Sequence, residues 1–275
     1  MRVAFAEIGG VRTRYYYEGK GPALLLLHGL GISADTWLMN IDVLAEHFTV
    51  YAPDLLGHGF TGWKGLGGQA AHPVIMRHVA ALTDHLGLKE YYALGSSYGA
   101  AIASLLYFER PERMKKLVIV GASSVFRPLD QQQEGFGKSY ANATSALREP
   151  TFENCKKRLG NVCFDPTKVP DAAVLPQLTF YAQDYILPAY EEIAKANFNQ
   201  ELTLPWRIVT RLEQIKLPTL VITGREDVRA PLAHAQAGQK RIPNSELLIL
   251  DQCGHMPMFE HPNQFNRAVI GFLTK

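Results

Sequence analysis

A serine, a histidine and a carboxylate can together make a nucleophile at neutral pH, and this 275-residue chain sets one of each within three residues of a glycine. Ser97 lies in Gly95-Ser96-Ser97-Tyr98-Gly99, after the apolar run Tyr91-Tyr92-Ala93-Leu94 and before the small-then-apolar stretch Ala100-Ala101-Ile102-Ala103. A strand running straight into a helix leaves a tight, strained turn that pushes its central hydroxyl outward. The glycines two residues to either side let strand and helix close up. Ser96, the neighbouring hydroxyl, is flanked at the same spacing by Leu94 and Tyr98, which are too bulky for the turn. Ser97 is therefore the predicted nucleophile.

Its partners are picked out by position. A serine hydroxyl needs a base, usually a histidine oriented by a carboxylate. Of nine histidines, His255 follows an apolar run in Leu250-Asp251-Gln252-Cys253-Gly254-His255, and Asp227 follows another in Thr223-Gly224-Arg225-Glu226-Asp227. Glu226 and Asp251 are rival carboxylates; Asp251 is only four residues before His255, a poorer angle for gripping the ring. Asp227 could also cap the helix expected after Pro231. The order Ser97, Asp227, His255, each at a strand end, is that of a hydrolase with its nucleophile on a strand–helix elbow. Two backbone N–H groups must hold the oxyanion, and Tyr98 and Leu30 are the candidates. His28 is read as a structural residue holding its loop, and His58 sits in another glycine-rich loop with no role assigned to it.

The elements that must position these residues alternate between short apolar runs and helical patterns. Val11–Glu18 reads as an antiparallel edge strand, and 23–27, 48–52, 91–94, 117–122, 218–223 and 247–250 as buried strands. Helices are expected through Trp37 and Leu44, over 73–86 closed by Gly87, after the elbow, and over 206–215, 231–242 and 265–273. That alternation implies an α/β fold with a mostly parallel, doubly wound sheet. It breaks between residues 126 and 205, which carry helical pieces and prolines but no buried strand. This segment is read as an inserted helical cap, on a core formed by 1–125 and 206–275.

A net charge of +2, with lysine and arginine scattered rather than striped, argues against a nucleic-acid or anionic-membrane partner. Three cysteines, Cys155, Cys163 and Cys253, show no spacing for a zinc site or a disulfide framework. No metal and no cofactor are expected. The N-terminus has no apolar signal region and no run approaches 20 apolar residues, so a cytoplasmic protein acting on a small molecule is expected. A homo-oligomer is compatible with the sequence.

His28-Gly29-Leu30-Gly31, Pro53-Asp54-Leu55-Leu56-Gly57-His58-Gly59, the elbow, Gly224-Arg225-Glu226-Asp227 and Gly254-His255 together resemble the α/β-hydrolase superfamily over essentially the whole chain. In the last third, Arg211-Leu212-Glu213-Gln214-Ile215, Cys253-Gly254-His255 and the run from Glu260 to Arg267 are similar to the meta-cleavage-product hydrolases, which break carbon–carbon bonds in ring-fission products of aromatic degradation. Three positions depart from that subfamily. Ser96 stands where it has Asn, Met256 where it has Trp, and Asn197 where it places a cap arginine for the substrate carboxylate. On these departures the expected activity is cleavage of a small or medium carboxylic ester through an acyl-enzyme on Ser97. The alternative is carbon–carbon hydrolysis of a vinylogous dioxo acid by the same triad. A non-catalytic binding module on the same fold is a third reading.

Overall fold

The computed structural model describes residues 1–132, 134 and 136–275, and no statement is made about the side chain of Phe136. Eight strands form one sheet in the order β1-β2-β4-β3-β5-β6-β7-β8. They are β1 (Arg2–Ile8), β2 (Val11–Glu18), β3 (Ala23–Leu27), β4 (Thr49–Pro53), β5 (Tyr91–Ser96), β6 (Met114–Val120), β7 (Thr219–Gly224) and β8 (Ser245–Leu250). β1 and β2 are antiparallel to each other, β2 is antiparallel to β4, and every other pairing is parallel. The expected α/β class and doubly wound sheet are therefore present.

Alternate residues of β3 divide the core in two. Leu24 and Leu26 point into one hydrophobic cluster, Leu25 and Leu27 into the other, one on each face of the sheet. Such two-sided burial is why the run reads as continuous leucine rather than as alternation. The helices covering the sheet are α1 (Ala71–His85), α2 (Tyr98–Glu109), α7 (Leu232–Gln239) and α8 (Pro262–Leu273). Between β6 and β7 the described residues form helices and turns without a strand, chiefly α3 (Phe136–Arg148), α4 (Phe152–Gly160), α5 (Asp171–Tyr181) and α6 (Ile186–Phe198).

The structure corrects several details of the sequence reading. Val11–Glu18 is not the edge strand; β1 lies outside it, with Val3 and Phe5 exposed on the outermost strand. The helix expected through Trp37 and Leu44 is a 3-10 turn at Ala34–Trp37 followed by one helical turn at Ile41–Leu44. The helix expected over 206–215 is a chain of 3-10 turns at Leu204–Trp206, Ile208–Thr210 and Leu212–Gln214. Pro205, the aromatic Trp206 and β-branched Ile208, Val209 and Thr210 are poor helix formers in succession.

The loops leaving β3 and β4 are pinned by one buried ionic group. Arg14 of β2 donates from Nε to Asp54 Oδ2 at 2.6 Å and from Nη2 to Asp54 Oδ1 at 2.9 Å and Asp35 Oδ2 at 2.5 Å. Asp54 also accepts from the N–H groups of Ala34 and Phe60, and Asp35 from the hydroxyls of Tyr16 and Ser33. This network fixes the loop that begins at His28, on which the site depends.

Candidate active site

Ser97 sits between β5 and α2 with φ 52° and ψ −117°, outside the regions open to ordinary side chains. The turn holds because the backbone around it packs closer than any Cβ would allow. A Cβ on Gly95 would lie 2.4 Å from the carbonyl oxygen of Gly99, and one on Gly99 would lie 2.2 Å from that of Leu27. The Ser97 N–H donates to Val120 O at 2.8 Å, and its carbonyl accepts from Ser124 Oγ at 2.6 Å. The strain is over-determined on both sides, and the hydroxyl faces a cavity.

Asp227 and His255 meet as the sequence order requires. His255 Nδ1 lies 2.8 Å from Asp227 Oδ2 and 3.0 Å from Oδ1. This pairing places the ring proton on Nδ1 and leaves Nε2 as the acceptor. Asp227 does not cap the following helix, whose N-cap position is Pro231; its Oδ1 instead accepts from the N–H groups of Arg229 and Ala230 in the turn before it. The pair nestles against Gly121 at the end of β6, where a Cβ would stand 3.2 Å from His255 Nδ1. Of the rival carboxylates, Asp251 pairs with exposed Arg225 and Glu226 accepts from the Cys253 N–H.

The loop carrying His255 is held from an unexpected direction. Glu260 is buried at 4% exposure without a cationic partner among the described residues. Its Oε1 accepts from Gly254 N at 2.9 Å and Met256 N at 3.4 Å, and its Oε2 accepts from Phe164 N at 2.7 Å and Asp165 N at 3.2 Å. The His255 N–H itself donates to Val162 O at 2.7 Å. One carboxylate thus ties both neighbours of His255 to the loop after α4.

A cavity of about 570 Å3 lies over Ser97, and Leu30, Tyr98 and His255 all open onto it. Tyr98 begins α2, so its N–H has no intrahelical acceptor and carries the positive end of the helix dipole. Leu30 follows Gly29, where a Cβ would stand 3.3 Å from Ser97 Cβ. All five residues expected at the site therefore come together. His28 takes the structural role expected of it, and His58 packs beside it. His28 accepts from the Leu55 N–H through Nε2 and donates to Gly29 O, and burial lowers its pKa to about 4. His58 donates to Leu56 O, and burial lowers its pKa to about 3.

The same cavity contains what the sequence reading missed. Arg127, Arg158, Arg207 and Arg229 line it, and none forms an ion pair with a carboxylate among the described residues. Their hydrogen bonds go to neutral oxygens. Arg207 Nη2 donates to Asn197 O and Thr203 Oγ1, both at 3.1 Å; Arg127 Nε donates to Ser123 Oγ at 2.7 Å; Arg158 Nη2 donates to Leu30 O at 3.4 Å; and Arg229 Nη1 donates to Ser139 Oγ. Burial holds the guanidiniums of Arg127, Arg207 and Arg229 below the usual arginine range. Asn197, at the position where a cap arginine was sought, does line the cavity, and Arg207 binds its carbonyl. No sequence signal marks the four arginines as a group, because they come from four separated segments.

Comparison with known proteins places this geometry among hydrolases. A family described as the alpha/beta hydrolase fold matches residues 22–262. The chain is 30% identical over 273 residues to a 2-hydroxymuconate semialdehyde hydrolase of Pseudomonas putida, spanning 97% of this chain and 92% of that protein. It is 30% identical over 273 residues to a 2-hydroxy-6-oxo-6-phenylhexa-2,4-dienoate hydrolase of Burkholderia cepacia, spanning 93% and 89%. The solved meta-cleavage product hydrolase of Pseudomonas fluorescens IP01 superposes with a TM-score of 0.82 at 23% identity, covering 98% of this chain and 97% of that one. No described helix is long and apolar enough to cross a membrane.

Proposed function

This chain belongs to the α/β hydrolase fold family and is a hydrolase, and from that premise we propose that it cleaves a carbon–carbon bond in a small vinylogous dioxo acid. The relatives' names favour this alternative over ester cleavage. The observation that carries it is the set of cavity arginines without carboxylate partners. Burying a guanidinium away from water costs several kcal/mol unless an anion meets it. A neutral ester gives these groups nothing to bind. A substrate bearing its own carboxylate does, and Arg207, beside Asn197 and near Tyr98, takes it. The departure at Asn197 then no longer counts against the carbon–carbon reading, because the cationic partner is supplied ten residues later.

The chemistry uses the residues in the roles their positions suit. In the dioxo tautomer the substrate carries a ketone one methylene from a conjugated 2-oxo acid. His255 Nε2 removes the Ser97 proton as Oγ attacks that ketone, and Asp227 orients the ring and stabilises the imidazolium. The N–H groups of Leu30 and Tyr98 hold the oxyanion, each worth about 2.7–4 kcal/mol of barrier. Collapse of the tetrahedral intermediate breaks the carbon–carbon bond. The electron pair passes through the conjugated system to the 2-oxo oxygen, and the resulting dienolate takes the proton from His255. Water, deprotonated by His255, then releases the acyl group from Ser97 as a carboxylic acid. The helical segment 126–205 acts as a cap that closes the cavity.

The test is direct. The protein should bleach a yellow 2-hydroxy-6-oxo-dienoate with a kcat/KM at least tenfold above that for a short p-nitrophenyl ester, and Ser97→Ala should abolish both. A faster ester reaction would return the assignment to a carboxylesterase, and turnover retained in Ser97→Ala would remove the nucleophile.

A further inference from the structure

The active-site cavity has a smaller neighbour. A pocket of about 260 Å3 is lined from the two crossings that join segment 126–205 to the rest of the fold. The outgoing crossing carries a 3-10 turn at Leu129–Gln131; the returning one carries a helical turn at Gln200–Thr203 and the 3-10 turn Leu204–Trp206. Two side chains, Gln132 of the first crossing and Arg207 of the second, line this pocket and the active-site cavity alike. Each is moored to its own crossing. Gln132 Nε2 donates to Arg127 O at 2.6 Å and to Pro128 O at 3.1 Å. Arg207 Nη2 donates at 3.1 Å to Asn197 O, whose residue lines the inner cavity, and at 3.1 Å to Thr203 Oγ1, whose residue lines the outer pocket. One guanidinium is thus part of both walls, and its Nε and Nη1 have no acceptor among the described residues. Leu129 and Leu204 also line the outer pocket, one from each crossing, and both are open to solvent at 44% and 53% exposure.

An apolar mouth that ends on a guanidinium fits a small acid with a carboxylate at one end and a hydrocarbon body behind it. The carbon–carbon reaction makes such a molecule. Its dienoic half is the half that Arg207 holds, and it is set free while the acyl half is still bonded to Ser97 Oγ. Resting on that reading, we infer that the outer pocket is an exit port, through which the dienoic acid leaves past Gln132 and Arg207. Its carboxylate stays on the Arg207 guanidinium from the inner cavity to the outer pocket, so no step strands the charge. Glu201 also lines the outer pocket, and its carboxylate repels the departing anion. A port with a like charge on its wall passes the acid on rather than storing it. Where the chemical steps are fast, product release of this kind sets kcat.

Sorbate, a stable dienoic acid, tests the pocket without turnover. In the full chain carrying Leu204→Cys, saturating sorbate should slow methanethiosulfonate labelling of the new thiol by about threefold or more, read by peptide mass. Sorbyl alcohol should give no protection, and adding Arg207→Met should remove the protection by sorbate. Unchanged labelling in sorbate, or equal protection by acid and alcohol, would overturn the port. Leu204→Trp and, from the other crossing, Leu129→Trp should each fill the pocket. On rapid mixing with a yellow 2-hydroxy-6-oxo-dienoate, the first turnover should keep its wild-type rate while kcat falls about fivefold or more, so that a product burst appears. A kcat within about twofold of wild type in both variants, or a first turnover slowed as much as kcat, would overturn the port and leave the carbon–carbon reading standing. Protection by sorbate in a protein that bleaches no dienoate would keep the acid site and refute the carbon–carbon reading.

Discussion

Arg14 and Arg158 are almost equally buried, at 5% and 8% exposure, yet the molecule treats them in opposite ways. Arg14 is gripped by two carboxylates, and each of those carboxylates is satisfied in turn by backbone or hydroxyl donors. Its charge is closed within the fold, and the guanidinium is held well above the usual arginine range by Asp54 and Asp35 against the opposing effect of burial. Arg158 and its three companions meet only neutral oxygens and face an open cavity. A closed network fixes the fold, whereas an open one waits for a ligand. Burial alone does not separate these cases; the inventory of partners does.

The buried carboxylates show the same contrast, and there the largest effect is expected. Asp227 has a histidine for its partner, and Asp227→Asn would leave its shape while losing the tautomer that frees Nε2. A fall in kcat of about 10⁴ is expected, read by steady-state turnover, with the thermal midpoint little changed.

Next come the two arginines. Arg14→Met leaves two buried carboxylates without their cation and should cost about 3–5 kcal/mol in urea unfolding. Arg158→Met should change stability by less than about 1 kcal/mol in either direction, since the variant removes an unpaired buried charge. Similar large losses in both would erase the distinction drawn between them.

Glu260 lies between these extremes, a buried carboxylate whose partners are the backbone N–H groups of Gly254, Met256, Phe164 and Asp165 and the Cys253 thiol. Glu260→Gln turns one acceptor into a donor facing those N–H groups, a mismatch of about 1–3 kcal/mol. Its cost should fall on the placement of His255: kcat drops about tenfold to a hundredfold, while KM moves less than about threefold. A loss confined to KM would mean that Glu260 serves the cavity wall and not the histidine.

The smallest effect concerns proton uptake. Burial lowers the pKa of His28 and His78 to about 4 and of His58 and His72 to about 3, against 6.5 when free. Between pH 6.5 and 4 the unfolded chain binds protons that the folded chain refuses, so stability falls as pH falls through that window. Each histidine contributes a slope of at most about 1.4 kcal/mol per pH unit. Urea unfolding at pH 7, 5.5 and 4.5 measures it, and a flat profile would mean that these rings protonate without cost.

The catalytic candidates were legible in the sequence because each is announced locally. Glycines at fixed spacing around Ser97, and Gly224 and Gly254 shortly before Asp227 and His255 after an apolar strand, carry their own geometry. The central strands were legible for the same reason, being short apolar runs buried on both faces. β1 was not, since its apolar Val3 and Phe5 point to solvent at the sheet edge and yield no core pattern. The 3-10 turns after Leu204 were missed because apolar spacing there imitates a helix that the side chains do not favour. The arginine cavity was invisible for a deeper reason. Its members stand at 127, 158, 207 and 229, and only the fold brings them to one space; in sequence they are scattered positive charges.

The central claim is that the cavity arginines exist for the substrate's own carboxylate, and one measurement meets it head-on. The kcat/KM of a 2-hydroxy-6-oxo-dienoate is compared with that of the same molecule carrying a neutral primary amide in place of the carboxylate, in the wild type and in Arg207→Met. The wild type should favour the acid by about 10²-fold or more, as expected when buried cations are left unpaired by the wrong substrate, and Arg207→Met should lose most of that preference. Equal rates for acid and amide in the wild type would contradict the account.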